Sequence, residues 1–256
     1  MNNKLIIALL VVAGLGWWLS TPQNPPTAQP THTEKPVQTH LPASLNTSLI
    51  LVSPESAPNT HDSSSDILQH IHQLEQCYQE DTCRFADSDP KAIYFAVGST
   101  LADDLDLLIQ QQQRSEQIMT EVTATAQRLM AFENDHVRAK ALSLLALQPP
   151  STNTLSAILR GIKDSHDRGI YQQAMMEFSK YPKPADRDQV TRFLMAQLQH
   201  GGQFVGQIIS QKVLPLMDED NNAQWEALLQ HLPPTSLRYQ YLQANLEEYR
   251  LLQGGG

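Results

Sequence analysis

The pattern of apolar and polar residues changes character twice along this chain of 256 residues. Leu5 to Leu19 carries no charge, Ser20 to Ser65 follows no helical or strand period, and the remainder has a helical pattern. After Pro90 the apolar residues recur three or four positions apart, which places on one helix face Ile93, Val97, Leu101, Leu105 and Leu108. The pattern predicts an all-α fold behind an N-terminal apolar segment and a linker.

Four pairs of helical segments are predicted between residues 114 and 253. The expected starts are Glu116, Thr152, Asp186 and Asn222 for the first members, and Asp135, Asp167, Gly202 and Thr235 for the second members. Proline, glycine and capping residues separate them, as in "QPPSTN", "YPKPAD" and "HGGQ". Second members start about 32 to 35 residues apart, a spacing typical of stacked helical hairpins that share one core.

The segment "DHVRAKALSLLA", Asp135 to Ala146, resembles the second helix of a HEAT repeat. In that family an Asp starts the helix, Val-Arg follows, and Ala and Leu recur on the buried face. The residues that stand in those roles are Asp135, Val137, Arg138, Ala141 and Leu145. The resemblance implies an α-solenoid that binds partners on a concave surface lined by the second helices, from Asp135, Asp167 and Gly202 onward.

Two other interpretations of the helical region stay open. Ala174, Phe178 and Pro182 fit a tetratricopeptide repeat, although the Trp, Gly and Tyr landmarks of that family's first helix are missing. The region is alternatively an irregular helical bundle without true repeats.

Residues 1–20 are predicted to be a membrane anchor or a signal sequence. As a helix, Leu5 to Leu19 rises roughly 22 Å, which suits either a signal-peptide core or a short anchor. Small residues are badly placed for cleavage, and Trp17 and Trp18 suit a membrane interface, so an uncleaved anchor is favoured. With Lys4 in the cytoplasm, we expect a single pass through a bacterial inner membrane and a periplasmic C-terminal domain.

Residues 21–65 are predicted to be a disordered, proline-rich linker. Half of the 16 prolines of the chain lie between Ser20 and Ser65, a composition that cannot bury enough apolar surface to fold. The apolar patch "SLILV", Ser48 to Val52, is either a stray cluster or a docking strand for a partner's sheet.

The only two cysteines are Cys77 and Cys83, in a predicted helical segment of residues 66–113. Two thiols are too few for a zinc site, and their spacing differs from that of redox motifs. In an exported domain they are expected to form a disulfide, with free thiols as the alternative. Continuous helix separates residues six apart by about 9 Å, so the first helix should end close to Cys77.

Composition and motifs argue against several functions. The formal net charge of −9 disfavours nucleic acid as a partner. The sequence contains no His-Glu-x-x-His motif and no phosphate-binding loop. We therefore predict no catalytic residue, metal, cofactor or small-molecule ligand.

The sequence favours a tethered scaffold that binds a protein partner in the cell envelope, in a Gram-negative type of bacterium. A periplasmic chaperone is the alternative. Lipase-specific foldases share the layout of anchor, proline-rich tether and helical domain, but their Arg-x-x-Phe-Asp-Tyr signature is absent here. An unrecognised hydrolase is the third hypothesis.

Overall fold

The computed structural model describes residues 63–85, 89–115 and 118–254. These residues form ten α-helices and one short 3-10 helix, Leu214–Leu216, and none of them is in a β-strand. The helices are α1 Ser64–Gln79, α2 Pro90–Arg114, α3 Thr120–Leu129, α4 Asp135–Ala146, α5 Thr152–Ile162, α6 Arg168–Phe178, α7 Pro184–His200, α8 Gln203–Lys212, α9 Asn222–Leu229 and α10 Leu237–Gly254. The predicted all-α class is confirmed for this part of the chain.

The predicted anchor, Leu5 to Leu19, and the patch Ser48 to Val52 lie outside the described residues. A search of residues 63–85, 89–115 and 118–254 for helices that could cross a membrane finds none with the necessary length and apolarity.

Capping residues explain where several helices begin. The Ser63 side chain accepts a hydrogen bond from the Asp66 amide, and the Asp66 carboxylate accepts one from the Ser63 amide, so α1 starts two residues before its expected start at Asp66. Asp89 caps α2 through the Lys91 amide, ahead of Pro90 at the first helical position. In the same way Pro184, with its fixed φ, begins α7 two residues before the expected start at Asp186.

Two other starts lie further along the chain than predicted. Helix α10 begins at Leu237 instead of Thr235, because the Ser236 hydroxyl accepts from the Tyr239 amide and caps it. Helix α3 begins at Thr120 instead of Glu116, and the residue at its N-cap, Met119, has no side-chain oxygen to mark the start in the sequence.

The helices pack in two rows. Helices α2, α4, α6, α8 and α10 form the even row, in which each helix contacts the next. Helices α1, α3, α5 and α7 form the odd row, which is also in successive contact. Each odd helix packs on the even helix that follows it, and α9 likewise packs on α10.

One cluster of buried apolar side chains runs between the rows, from Ile67 in α1 to Tyr249 in α10. Several polar contacts between neighbouring hairpins join residues 34 or 35 positions apart in the sequence. They are Asp106–Lys140, Ala146–Lys180, Thr152–Asp186, Lys163–Gln197 and Ser210–Asn245. Other contacts between hairpins have different separations, such as Ser143–Gln173 at 30 and Leu198–Arg238 at 40.

Candidate protein-binding surface

The predicted cysteine pair closes the corner after α1. The sulfur atoms of Cys77 and Cys83 are 2.01 Å apart, and their Cα atoms are 4.7 Å apart. The chain reverses at Asp81, whose φ of 53° lies in the left-handed region, and the Thr82 amide donates to the Cys77 carbonyl at 2.9 Å. Helix α1 continues to Gln79, two residues further than the expected end at Cys77, because the whole reversal fits between Glu80 and Cys83.

The HEAT-like residues of α4 are buried or hydrogen-bonded within the α3–α4 hairpin. Val137, Ala141 and Leu145 are fully buried. Arg138 donates to the Phe132 carbonyl at 2.7 Å and to the Asp135 carboxylate at 3.0 Å, so it ties the α3–α4 turn to the start of α4. Asp135 is the first helical residue, and the cap is its neighbour Asn134, whose side chain accepts from the His136 and Val137 amides. These residues hold the hairpin together.

Exposed apolar side chains are concentrated on the even row. Phe95 in α2, Met176 in α6 and Phe204 in α8 are each more than 60% exposed, at 65%, 64% and 63%. The other large exposed apolar residues are Leu107 in α2, Leu147 at the end of α4, Leu237, Leu251 and Leu252 in α10, and Ile118 ahead of α3. In the described part of the chain, no large exposed apolar side chain lies within α1, α3, α5, α7 or α9. We call the exposed face of α2, α4, α6, α8 and α10 the even-row surface.

Polar contacts tie neighbouring helices of the even row together. The Lys140 ammonium in α4 lies 2.6 Å from the Asp106 carboxylate in α2. The Gln173 side chain in α6 donates to the Ser143 hydroxyl in α4 at 2.8 Å. These contacts fix adjacent helices, so the apolar residues between them are presented on a preformed support.

A buried polar group lies at the end of α6. The Glu177 carboxylate is 2% exposed and pairs with the Lys180 ammonium at 2.7 Å. Burial raises the pKa of Glu177, and the hydrogen bond from Lys180 opposes that shift. Lys180 also donates to the Ala146 carbonyl in α4, so the group joins two helices of the even row.

No group of three or more metal-ligating side chains is found in residues 63–85, 89–115 and 118–254.

A groove of about 650 Å³ opens on the odd row between α3, α5 and α7. Arg160 of α5 and Lys163, directly after α5, line it together with the amides of Gln127, Asn153 and Gln189. It adjoins a cavity of about 430 Å³ that shares Gln127 and Arg160 and continues toward the α3–α4 turn. We call the first cavity the α5 groove.

Sequence reasoning missed Phe95, Met176 and Phe204. Phe95 lies two positions from both Ile93 and Val97, so it falls off the buried face that those residues define. Met176 directly follows the buried Met175, so it also points away from the buried face of its helix. An apolar residue out of phase with the core of its helix was the available signal.

Comparisons with protein-family models, with curated proteins and with solved structures find no match for this chain. The resemblance of α4 to a HEAT repeat therefore stays a prediction that rests on the residues of Asp135 to Ala146.

Proposed function

We propose that this protein is a membrane-tethered, exported scaffold whose hairpins stack as a HEAT-like α-solenoid and bind a protein partner in the bacterial envelope. The observation that carries the proposal is the concentration of exposed apolar side chains on the even-row surface. Met176 and Phe204, on neighbouring helices, are residue types that supply much of the contact area at protein interfaces.

The packing of the helices supports the stacked arrangement. Successive contacts within each row, and several polar contacts between residues 34 or 35 apart, are consistent with an array of stacked hairpins. In such an array one row is free to present a long binding surface. The second helices from Asp135, Asp167 and Gly202 onward, assigned to this role by the resemblance, correspond to α4, α6 and α8 of the even row.

The N-terminal sequence supports the location. An uncharged segment from Leu5 to Leu19 suits an anchor, and the proline-rich stretch after it suits a tether. A flexible chain of that length spans about 40 Å. The scaffold would then bind its partner some distance from the membrane surface.

Photo-crosslinking in living cells tests the proposal. A photoreactive amino acid is placed at Met176 or at Phe204 of the full-length protein, and at the exposed Ala196 of α7 as the odd-row control. We expect one discrete cross-linked protein from the two even-row positions and none from Ala196. Equal cross-linking from both rows, or none from the even row, would exclude the even-row surface as the binding site.

Substitution gives a second test with a matched control. Met176→Glu and Phe204→Glu should each remove the cross-link formed from the other position, because a buried unpaired carboxylate is costly at an interface. Ala196→Glu adds the same charge to α7 and should leave the cross-link intact. If the cross-link persists in both variants but is lost when residues 48–52 are deleted, the tether is the binding site.

A chaperone is the second candidate, and one observation favours it. The exposed apolar residues of the even row have exposed glutamines on the same helices, such as Gln172 and Gln203. A surface of separate apolar and polar contacts suits weak binding to unfolded clients. Many heterogeneous cross-linked products from Met176, in place of one, would favour the chaperone.

A further inference from the structure

The α5 groove differs in charge from the chain as a whole. The whole chain has a formal net charge of −9. Yet the ionisable side chains that line this groove are Arg160 and Lys163, and no acidic residue lines it. Arg160 lies in the last turn of α5 and Lys163 is the residue that caps its C-terminus, three positions further on, so both cations line the groove.

Both charges are available to a ligand. Among the described residues, neither Arg160 nor Lys163 has a carboxylate within ion-pair distance. Arg160 uses only its Nε, which donates to the Ser156 carbonyl at 3.2 Å, so its two terminal nitrogens are left to bind a carboxylate. Arg128 nearby differs, because it is engaged with Glu75 in α1.

Cations near the end of a helix also interact with its dipole, and that interaction alone could explain Arg160 and Lys163. In α5, however, the carbonyl of Lys163 already accepts a hydrogen bond from the Gln197 side chain at 3.1 Å. Part of the negative end of α5 is therefore satisfied by α7. The cations are left facing a cavity that is open to solvent.

The other lining groups suit a polypeptide backbone. Side-chain amides line the groove from all three helices: Asn153 from α5, Gln189 from α7, and Gln127 from α3, whose Nε2 already donates to the Thr154 hydroxyl at 2.9 Å. An amide can donate to a peptide carbonyl and accept from a peptide N–H at once. The half-buried ring of Phe193 supplies an apolar contact beside them. A groove that crosses three helices and presents amides at intervals fits an extended segment better than a compact ligand.

We propose that the α5 groove binds an extended, carboxylate-bearing peptide segment of a partner protein. Arg160 and Lys163 would contact its Asp or Glu side chains, and the amides of Asn153 and Gln189 would hold its backbone. A peptide is favoured over nucleic acid because the net charge of the chain repels a polyanion, while two local cations suffice for two carboxylates. The inference is independent of the even-row surface and gives the scaffold a second, chemically distinct contact.

Fluorescence anisotropy of the purified full-length chain tests this proposal. The probe is a labelled eight-residue peptide of alternating glutamate and serine, and its isosteric control replaces each glutamate by glutamine. We expect the glutamate peptide to bind at least about tenfold more tightly at 50 mM salt, and to lose most of that advantage at 300 mM. Equal binding of the two peptides would overturn the proposal.

Variants locate the binding. Arg160→Glu with Lys163→Glu should abolish the preference for glutamate. If this charge reversal perturbs folding, the milder pair Arg160→Gln with Lys163→Gln takes its place and should reduce the preference. Lys91→Glu with Lys212→Glu makes the same change in net charge at exposed positions outside the groove and should preserve the preference. Asn153→Ala should weaken both peptides equally, since it removes a backbone contact.

Two results would assign the α5 groove to a different ligand. Tighter binding of an eight-nucleotide oligothymidine than of the glutamate peptide, lost in the Arg160 and Lys163 variants, would assign the groove to nucleic acid. Binding of the glutamate peptide that appears only after residues 44–62 are deleted would mean that the tether of this chain occupies the groove. Either result overturns the assignment to a partner's acidic segment.

Discussion

Glu177 is the residue at which burial and charge conflict most directly. One carboxylate oxygen pairs with Lys180, while the other is buried and has no hydrogen-bond partner among the described residues. The neighbouring Tyr181 is also buried, and burial together with the charge of Glu177 raises the pKa of its hydroxyl. An ionised carboxylate in this position costs stability because it has lost water without full compensation.

The stability contribution of Glu177 should therefore depend on pH with a defined sign. Its folded-state pKa is raised above the ordinary value of 4.5, so the folded state binds the proton more tightly than the unfolded state. The resulting stabilisation is complete below pH 4.5 and is lost as the pH rises through the folded-state pKa. Glu177→Gln cannot ionise, so its melting temperature relative to the parent protein should rise between pH 4 and pH 8.

Thermal unfolding followed by circular dichroism at several pH values measures this difference. Glu226→Gln is the control, because hydrogen bonds from Arg250 and Asn222 lower the pKa of Glu226. Glu226 stabilises the folded state above pH 4.5, and this contribution is lost as the pH falls through its folded-state pKa. The melting temperature of Glu226→Gln relative to the parent protein should therefore fall as the pH rises. A pH-independent difference for Glu177→Gln would show that the carboxylate gains enough from Lys180 to offset burial.

At the scale of the elements, Gly161 lies where α5 packs against the end of α3. A Cβ atom added there would collide with the backbone carbonyl of Met130, just after α3. Because the obstacle is backbone, it cannot move aside as a flexible side chain would. The absence of a side chain at Gly161 is therefore what allows α5 to lie against the end of α3.

Gly161→Ala should destabilise the protein by about 1–3 kcal/mol, the usual range for overpacking a dense interior. Gly202→Ala is the comparison, since a Cβ there meets nothing within 4 Å and only the helix cap of α8 changes, at less than about 1 kcal/mol. Urea denaturation of both variants and the parent protein provides the measurement. Equal effects would mean that α5 can shift away from Met130 without loss.

The Cys77–Cys83 bridge fixes the corner between α1 and α2. It closes a small loop, so by the chain-entropy model it contributes about 2 kcal/mol. For a folded region of this size we expect the double change Cys77→Ser and Cys83→Ser to lower the melting temperature by roughly 4–8 °C without preventing folding.

Reductant supplies the control for the bridge, because the chain has no other cysteine. Dithiothreitol should lower the melting temperature of the parent protein to that of the double serine variant and leave the variant itself unchanged. Two alkylatable thiols in protein recovered without reductant, or a parent protein insensitive to reductant, would rule out a stabilising disulfide.

The positions of most helices could be predicted from the sequence because local chemistry marks them. Asp89 before Pro90, and Asp167, whose side chain accepts from the Ile170 amide at 2.9 Å, are caps that can be recognised without a structure. The left-handed conformation of Asp81 could not be predicted, since a left-handed aspartate has no distinct sequence pattern. The exposed positions of the even row were also missed. Phe95 lies out of phase with the buried face of α2, but each even-row helix packs on several neighbours, so a residue off one buried face can still be buried against another helix.

At the scale of the whole molecule, the described helices leave two chemically different surfaces. The even-row surface presents single apolar side chains such as Met176 and Phe204, and the odd row presents the cationic α5 groove. Because the rows share one core, both surfaces keep a fixed relation to each other within the described region. A scaffold that binds two segments at once gains avidity only if they can reach both surfaces together.

The location of the protein is the last prediction, and it depends on the first 20 residues. If Leu5 to Leu19 is an uncleaved anchor with Lys4 in the cytoplasm, an export-dependent reporter enzyme fused after Gly256 should be active. The fusion should sediment with membranes and resist extraction with high salt. Replacement of Leu10 and Val11 by Arg should abolish both properties, since charges at the centre of an apolar helix oppose insertion. Lys35→Glu in the linker is the control and should change neither. An active fusion that is soluble and begins near Gln29 would show a cleaved signal peptide instead, which would retain export but remove the membrane anchor from the proposed scaffold.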